Sequence, residues 1–443
     1  MTNKKLANLL ASLFLLGCSI VLTLKIHWAD FHVYYTAGHS LLAGRTDLYA
    51  ANFGDSQIMD YRYPLFFLIV FLPFCWLPYQ MAELVWLWLN IGIVYLTFRA
   101  VKRCAQKILD KPVRFDLIAL LAFLICARYF IVSMRILNVH VIVLSMVFGT
   151  FYLLLRQKPF GAAILMALAV TFKIFPALTL PYFALKKQWS FLLMTGFFIV
   201  AFNLAPAIYF GFDANFEMLR DWHQHVMVDN EFHNTNGPLN VSLQGQLERY
   251  LTHVDYSRRF EDPWYENVNF MSLTQNAVSV ISKIISGLMA TATLFLIWFF
   301  AKLRRKMFLL NENSIFDKRE QRLNNRGFST AFDALAFHEF GLMICLTLLV
   351  EPRSNVYYFL ILFFPLVPFL HSFLRDRSKI NAAAFSLILI LACAMPLLPG
   401  SYVQRLLLVF GVDFYIAFVL WLALGYNLIR ASCKLKCYRE ANV

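Results

Sequence analysis

Six charged side chains stand where charge is costly. Asp30, Arg62, Arg135, Lys173, Glu351 and Arg353 each flank or interrupt a long apolar run. A carboxylate such as Asp30, just past the apolar run 6–24, sits at the edge of hydrocarbon. There it serves either as an interfacial helix cap or as a positioned base. Lys173 interrupts the apolar stretch 160–185. A lysine at membrane depth costs about 2.5–3.5 kcal/mol on insertion scales unless it reaches water or an anion. It either snorkels to an acid or faces a bound anion. Arg353 and Glu351 form either a local surface pair or part of a site, and Arg62 and Arg135 either anchor the interface or add cations. Four cation candidates (Lys173, Arg353, Arg62, Arg135) and two base candidates (Asp30, Glu351) suit the transfer of a group from a lipid phosphate to a hydroxyl. His223, His225 and His233 have weak metal spacing and read as solvated loop histidines, so no metal site is expected. No G-x-x-x-x-G-K-[ST] occurs, so no nucleotide-binding loop is expected either.

The elements that must position these residues are helices in a membrane. Of the 443 residues 60% are apolar and 15% charged, and the mean hydropathy is +0.60. The aromatic share is 17%, with 45 Phe, which suits lipid-facing and interfacial positions. The net charge of +14 does not indicate nucleic acid, because the bases cluster in short links between apolar runs. The eight cysteines avoid the two large polar loops and suggest neither a disulfide framework nor a zinc site. Candidate spans are 6–24, 65–98, 117–127, 139–155, 160–172, 174–185, 191–210, 277–301, 334–350, 357–370, 382–398 and 406–429. The first has Lys4 and Lys5 before it and no evident cleavage site after it, so it reads as a retained span. The run 65–98 would make a helix of ~51 Å, too long for one crossing. Pro73 and Pro78 divide it into a cavity-lining segment 65–77 and a true span 81–98. The expected fold is an all-α, polytopic transmembrane bundle of about twelve spans with extracytoplasmic loops carrying short helices.

Charge sets the expected sidedness. The basic links place both termini in the cytoplasm, and 30–62 and 211–275 outside. Residues 1–301 form an N-terminal block with loops 25–62 and 211–275, 302–333 a basic cytoplasmic linker, and 334–443 a C-terminal block. The expected location is the cell membrane, with the site facing the periplasm or exterior. From Asp30 a helix begins, with Val33, Tyr34, Ala37 and Leu41 on one face. A third outer piece, 351–355, is short. A compartment without nucleotide sugars requires a donor already held in the membrane.

Five motifs in order then carry a resemblance. Asp30-Phe31-x-Val33-Tyr34-Tyr35-x-Ala37-x-x-x-Leu41-Leu42-x-Gly44-x-x-x-Leu48-Tyr49, followed by Tyr61-x-Tyr63-Pro64-Leu65, resembles the opening of glycosyltransferase family 87 of the GT-C superfamily. Leu137-Asn138-Val139 resembles the family's G-Q-x-N stretch, with Leu137 departing from it. Lys173-x-x-Pro176 resembles its lysine–proline motif, Asn240-x-Ser242-x-x-Gly245 its N-x-S-x-x-G element, and Glu351-Pro352-Arg353-Ser354 its late link. The resemblance implies an inverting, metal-independent transfer of a sugar, most simply mannose, from a polyprenyl-phosphate donor to a lipid or glycan acceptor. It implies no cofactor. It implies Asp30 as general base, with Lys173, Arg353 and Arg62 on the donor phosphate. Tyr34, Tyr35, Tyr63, Asn138, Asn240, Ser242 and Glu351 are then expected on acceptor or sugar. Arabinofuranose transfer within the same family, or a flippase for a lipid-linked sugar, remain the alternatives. One departure stands out: many members carry a His in the late link, where this chain has Asn355-Val356-Tyr357-Tyr358.

Overall fold

The structure is a computed structural model that describes residues 30–49, 61–108, 115–228, 240–253, 267–310, 335–376, 378–397 and 402–440. The expected span 6–24, His233 and residues 311–333 of the basic linker lie outside the described residues.

Among the described residues, seven helices are long and apolar enough to cross a membrane. Five shorter apolar helices or helix pairs accompany them: Leu65–Cys75, His140–Leu155, Pro159–Phe172, Phe175–Leu185 and Ala336–Val350. The acid-bearing helix α1 is Asp30–Leu42. It is followed by α2 (Leu65–Cys75), α3 (Tyr79–Ile108), α4 (Phe115–Ile136), α5 (His140–Leu155) and α6 (Pro159–Phe172). A 3₁₀ turn, Phe175–Thr179, then leads into α7 (Leu180–Leu185). The chain continues through α8 (Trp189–Leu204), α9 (Ala207–Phe210), α10 (Phe212–Trp222), α11 (Leu243–Leu251) and α12 (Gln275–Leu310). After the linker come α13 (Ala336–Val350), the 3₁₀ segment Val356–Leu362, α14 (Phe363–Asp376), α15 (Lys379–Leu397), α16 (Tyr402–Phe410) and α17 (Val412–Glu440).

Burial sorts these helices by composition. α13 is largely apolar, and all its residues from Ala336 to Leu349 are buried; its two charged or polar side chains near the start are partnered, Glu339 by Lys186 and His338 by Ser372. A helix buried all round belongs at the centre of a bundle. At the periphery, α8 exposes Leu193, Phe197 and Val200, and α12 exposes Val280, Ile284 and Leu288. These rows at three- and four-residue spacing are too large and too apolar to face water, so they face lipid. Residues on both sides of the linker share one core; Phe151 of α5, for example, stacks on Phe340 of α13 at 4.6 Å. Arg128 of α4 clamps Asp413 at the start of α17 through two hydrogen bonds of 2.9 and 3.0 Å, and the Tyr129 hydroxyl adds a third at 2.8 Å.

Two apolar runs prove to be broken. The break in 65–98 falls at Trp76–Pro78, close to where the prolines predict it. The run 406–429 is not one span but α16 and α17, parted at Gly411. Gly411 has φ +65°, a left-handed conformation that ends a helix at little cost only for glycine. The sequence shows a single glycine in an apolar run, which helices tolerate, so the break was not legible there.

Candidate active site

Asp30 is the first residue of α1. Phe31, Val33, Tyr34, Ala37 and Leu41 bury one face of the helix, which fixes the direction of its first turn. The Phe31 ring packs edge-on to Phe71 at 5.5 Å, and Tyr34 to Phe67 at 4.9 Å, so α1 rests on α2 through aromatic edges. The Asp30 carboxyl accepts a hydrogen bond from Tyr63, and the Tyr34 hydroxyl stands beside it. Tyr34 donates to the Tyr63 hydroxyl at 2.9 Å, so the two hydroxyls form a chain that ends on the acid. Tyr63 is held in turn by the Tyr49 hydroxyl, which donates to its carbonyl at 2.9 Å. Burial raises the Asp30 pKa above the usual carboxylate range, and the nearby Lys173 charge, the two tyrosines and Arg62 oppose that rise.

Lys173 leaves the end of α6 in an extended conformation, φ −157° and ψ 129°. Pro176 cannot continue the helix, so the chain turns there. The ammonium of Lys173 lies 5.4 Å from the ring centroid of Tyr63 and 4.6 Å from that of Tyr358. Tyr63 therefore touches both the acid and the cation. Asp30 and Glu351 act electrostatically on Lys173 and favour its charge, while Arg62 disfavours it. Among the described residues, no carboxylate lies within 4.0 Å of the Lys173 nitrogen, whereas Lys186 is paired with Glu339. Burial lowers the Lys173 pKa to about 7 and raises that of Glu351 to about 7. Arg353 is lowered to about 10, by burial first and then by the Arg62 charge. A cation held against ring faces, short of a counter-ion and near its own titration point, gains most from an anionic ligand.

The turn between α4 and α5 approaches the same place. Leu137 has φ +51°, uncommon for any residue with a Cβ, and its carbonyl accepts the Trp86 indole N–H at 2.9 Å. Val139 N–H donates to the Tyr34 hydroxyl at 3.3 Å. The Asn138 side-chain oxygen accepts from the Ser133 hydroxyl at 2.9 Å and from His140 N–H at 3.1 Å.

The N-x-S-x-x-G element has a different place. Asn240 Nδ2 donates to the Pro352 carbonyl at 3.0 Å, and its Oδ1 accepts from Ser242 N–H and Ser354 N–H, each at 3.2 Å. Ser242 caps α11 by accepting from Gly245 N–H at 3.1 Å, and its hydroxyl donates to the Pro352 carbonyl at 2.9 Å. A Cβ on Gly245 would stand 2.6 Å from the Asn240 carbonyl oxygen. Arg249, fully buried, donates to the Asn240 carbonyl at 2.8 Å and to the Val409 carbonyl at 2.8 Å. The motif is thus a clasp that fixes the link Glu351–Asn355, and with it Glu351 and Arg353.

Of the residues singled out in the sequence, Asp30, Tyr34, Tyr63, Arg62, Lys173, Glu351 and Arg353 fall within one electrostatic cluster. Asn138 lies in the turn beside Tyr34. Asn240 and Ser242 stand in the clasp, where hydrogen bonds to the link engage their side chains. Tyr35 points away from the cluster: its hydroxyl donates to the Leu77 carbonyl at 2.8 Å, at the break between α2 and α3. Arg135 is exposed at the end of α4. Among the described residues no group of three or more metal-ligating side chains occurs, and His225 is engaged with the Asp221 carbonyl at 2.9 Å. Sequence reasoning missed Tyr358, which carries the second ring face against Lys173. The only signal for it was two adjacent tyrosines directly after the late link.

The model of glycosyltransferase family 87 matches residues 61–313 of the chain. That stretch holds Arg62, Tyr63, Asn138, Lys173 and the clasp motif, with Asp30 upstream and the late link downstream. No curated protein matches the chain.

Proposed function

The chain belongs to glycosyltransferase family 87, and on that premise we propose that it moves a sugar, mannose in the simplest case, from a polyprenyl-phosphate donor to a hydroxyl of a lipid or glycan acceptor. Its apolar helices make it a membrane protein, and the basic links favour a site facing away from the cytoplasm with both termini inside. About twelve crossings are compatible with the long helices, the shorter apolar ones and the run 6–24 together.

The observation that carries this reading is Lys173: among the described residues no carboxylate lies within 4.0 Å of it, and it is set between two tyrosine rings, one of which hydrogen-bonds the acid across from it. In the proposed reaction the acceptor oxygen attacks the anomeric carbon of the donor sugar. The Asp30 carboxylate takes the hydroxyl proton as the new bond forms. The bond from the anomeric carbon to the phosphate oxygen breaks, and the electron pair leaves with the polyprenyl phosphate. Lys173, with Arg62 and Arg353, offsets the charge that builds on this leaving group. Attack opposite the departing phosphate inverts the anomeric centre. The raised pKa of Asp30 brings it nearer to working pH, which suits a general base. Tyr34 and Tyr63 orient the carboxylate, and Glu351 and Tyr63 are the proposed partners of sugar hydroxyls, with Asn138 in the turn beside them. Asn240 and Ser242 contribute by holding the link.

Purified protein in detergent, given polyprenyl-phosphate mannose and a lipid acceptor, tests the reading. Glycosylated product formed without a sealed compartment is the expected result. Movement of the lipid-linked sugar across a reconstituted bilayer with no product would replace the enzyme with a flippase.

A further inference from the structure

His140 is the first residue of α5 and is fully buried, yet neither ring nitrogen has a hydrogen-bond partner among the described residues. A buried polar group left unpaired costs roughly 1–3 kcal/mol, so a chain that retains one has a use for it or a hidden partner. The ring is held firmly. It packs on Tyr358 at 4.2 Å and Tyr357 at 4.7 Å, and lies parallel to Phe175 at 6.2 Å. Tyr358 is the same ring that faces the Lys173 ammonium, and the Lys173 charge acts on the imidazole. Two residues earlier, Asn138 is 1% exposed, and its Nδ2 is also without a partner. The amide orientation follows from its neighbours: Oδ1 accepts from a backbone N–H, so the unpaired atom is the donor. One turn thus brings two groups unpaired among the described residues, and the N-terminus of a sixteen-residue helix, to the side of a lysine with no carboxylate in direct contact. Cation, free donors and helix N-terminus together select an anion.

We propose that the Asn138–His140 turn completes the donor-phosphate site, with a His140 ring N–H and Asn138 Nδ2 donating hydrogen bonds to the glycosyl phosphate that Lys173 neutralises. This rests on the reading of Lys173 given above. It adds a neutral donor set to the cations and supplies an imidazole from α5, whereas the late link of this chain has tyrosines. A hydrogen bond to a charged oxygen is stronger than a neutral one, so its loss is read in donor affinity.

The test is binding of a short-chain polyprenyl phosphate, with the matching polyprenyl alcohol as control, to the full chain in detergent. His140→Phe keeps the ring packing and removes both nitrogens. The expected result is a ~10–100-fold weaker affinity for the phosphate, on the scale of one lost charge-assisted bond, no change for the alcohol, and a melting temperature equal to or above that of the native protein. His140→Gln, which restores an N–H, is expected to recover part of the loss. Equal phosphate affinity in native protein and His140→Phe overturns the proposal, as does an equal loss for the alcohol. If His140→Phe does not fold, His140→Met, which fills the space without a donor, is held to the same outcomes. Absence of phosphate binding by the native protein overturns the Lys173 reading itself and this proposal with it. Inorganic phosphate competing as well as the lipid would show a general anion site in place of a donor site.

Discussion

At the scale of single residues the account rests on opposite demands on two groups. Asp30 must lose its proton to act as a base, and Lys173 must keep its proton to meet a phosphate. Burial raises the pKa of the first and lowers that of the second to about 7. The kcat/KM for the donor is therefore expected to rise with pH through the elevated Asp30 ionisation and to fall above about pH 7 as Lys173 deprotonates. Glu351 as an anion favours the charge on Lys173, so Glu351→Gln is expected to move the alkaline limb to lower pH while most transfer remains. Lys173→Arg keeps a permanent charge, and in whatever activity remains the alkaline limb is expected to vanish. A profile in Lys173→Arg that still falls near neutrality would assign that limb to another group. Asp30 and Lys173 were legible in the sequence because charge beside an apolar run is rare. His140 and Tyr358 were not, because a histidine at a helix start and a tyrosine in an apolar run each have an ordinary packing explanation. Only their shared neighbour, Lys173, distinguishes them.

At the scale of elements, the proline-marked break at Trp76–Pro78 and the helix from Asp30 could be read from local chemistry alone, since proline and periodicity act on their own segment. The clasp could not. Asn240 and Glu351 are over a hundred residues apart, and nothing in either stretch says that one holds the other. The structure makes the asparagine a joint. Asn240→Ala leaves the N–H groups of Ser242 and Ser354 without their acceptor, each at a cost of roughly 1–3 kcal/mol if water cannot reach them. Gly245→Ala drives a Cβ into the Asn240 carbonyl and is expected to cost about 1–3 kcal/mol by overpacking. Both variants are expected to lower the melting temperature and to reduce transfer more than donor binding, because the link moves while Lys173 stays. Unchanged melting in Gly245→Ala would mean that the loop yields freely and is no clasp. The buried Asn240 also makes the Asn-Val-Ser triplet a poor glycan acceptor in the folded protein.

Across the whole molecule, a central helix buried on all sides is wrapped by helices that turn apolar rows outward, and the charged cluster gathers between α1, the end of α6 and the link after α13. The membrane class was legible from composition, because apolar runs of this length have few other uses. The number of crossings was less so. Short apolar helices such as α2 and α6 reach only part of the hydrocarbon thickness and draw their meaning from what surrounds them. The charge asymmetry predicts sidedness: single cysteines at Asp47 and Glu217, both exposed, are expected to react with a membrane-impermeant maleimide from outside intact cells, and a cysteine at Lys187 only after permeabilisation. Labelling of Lys187→Cys from outside would invert the arrangement and place the site on the side where nucleotide sugars are available.

The most direct measurement is made on Asp30→Asn in purified form, with donor binding and transfer read on the same preparation. The account predicts a folded protein that binds polyprenyl-phosphate sugar as the native one does and transfers it ~10²–10⁴-fold more slowly, the usual span for losing a general base. Transfer at close to the native rate, with the acid gone, would contradict it.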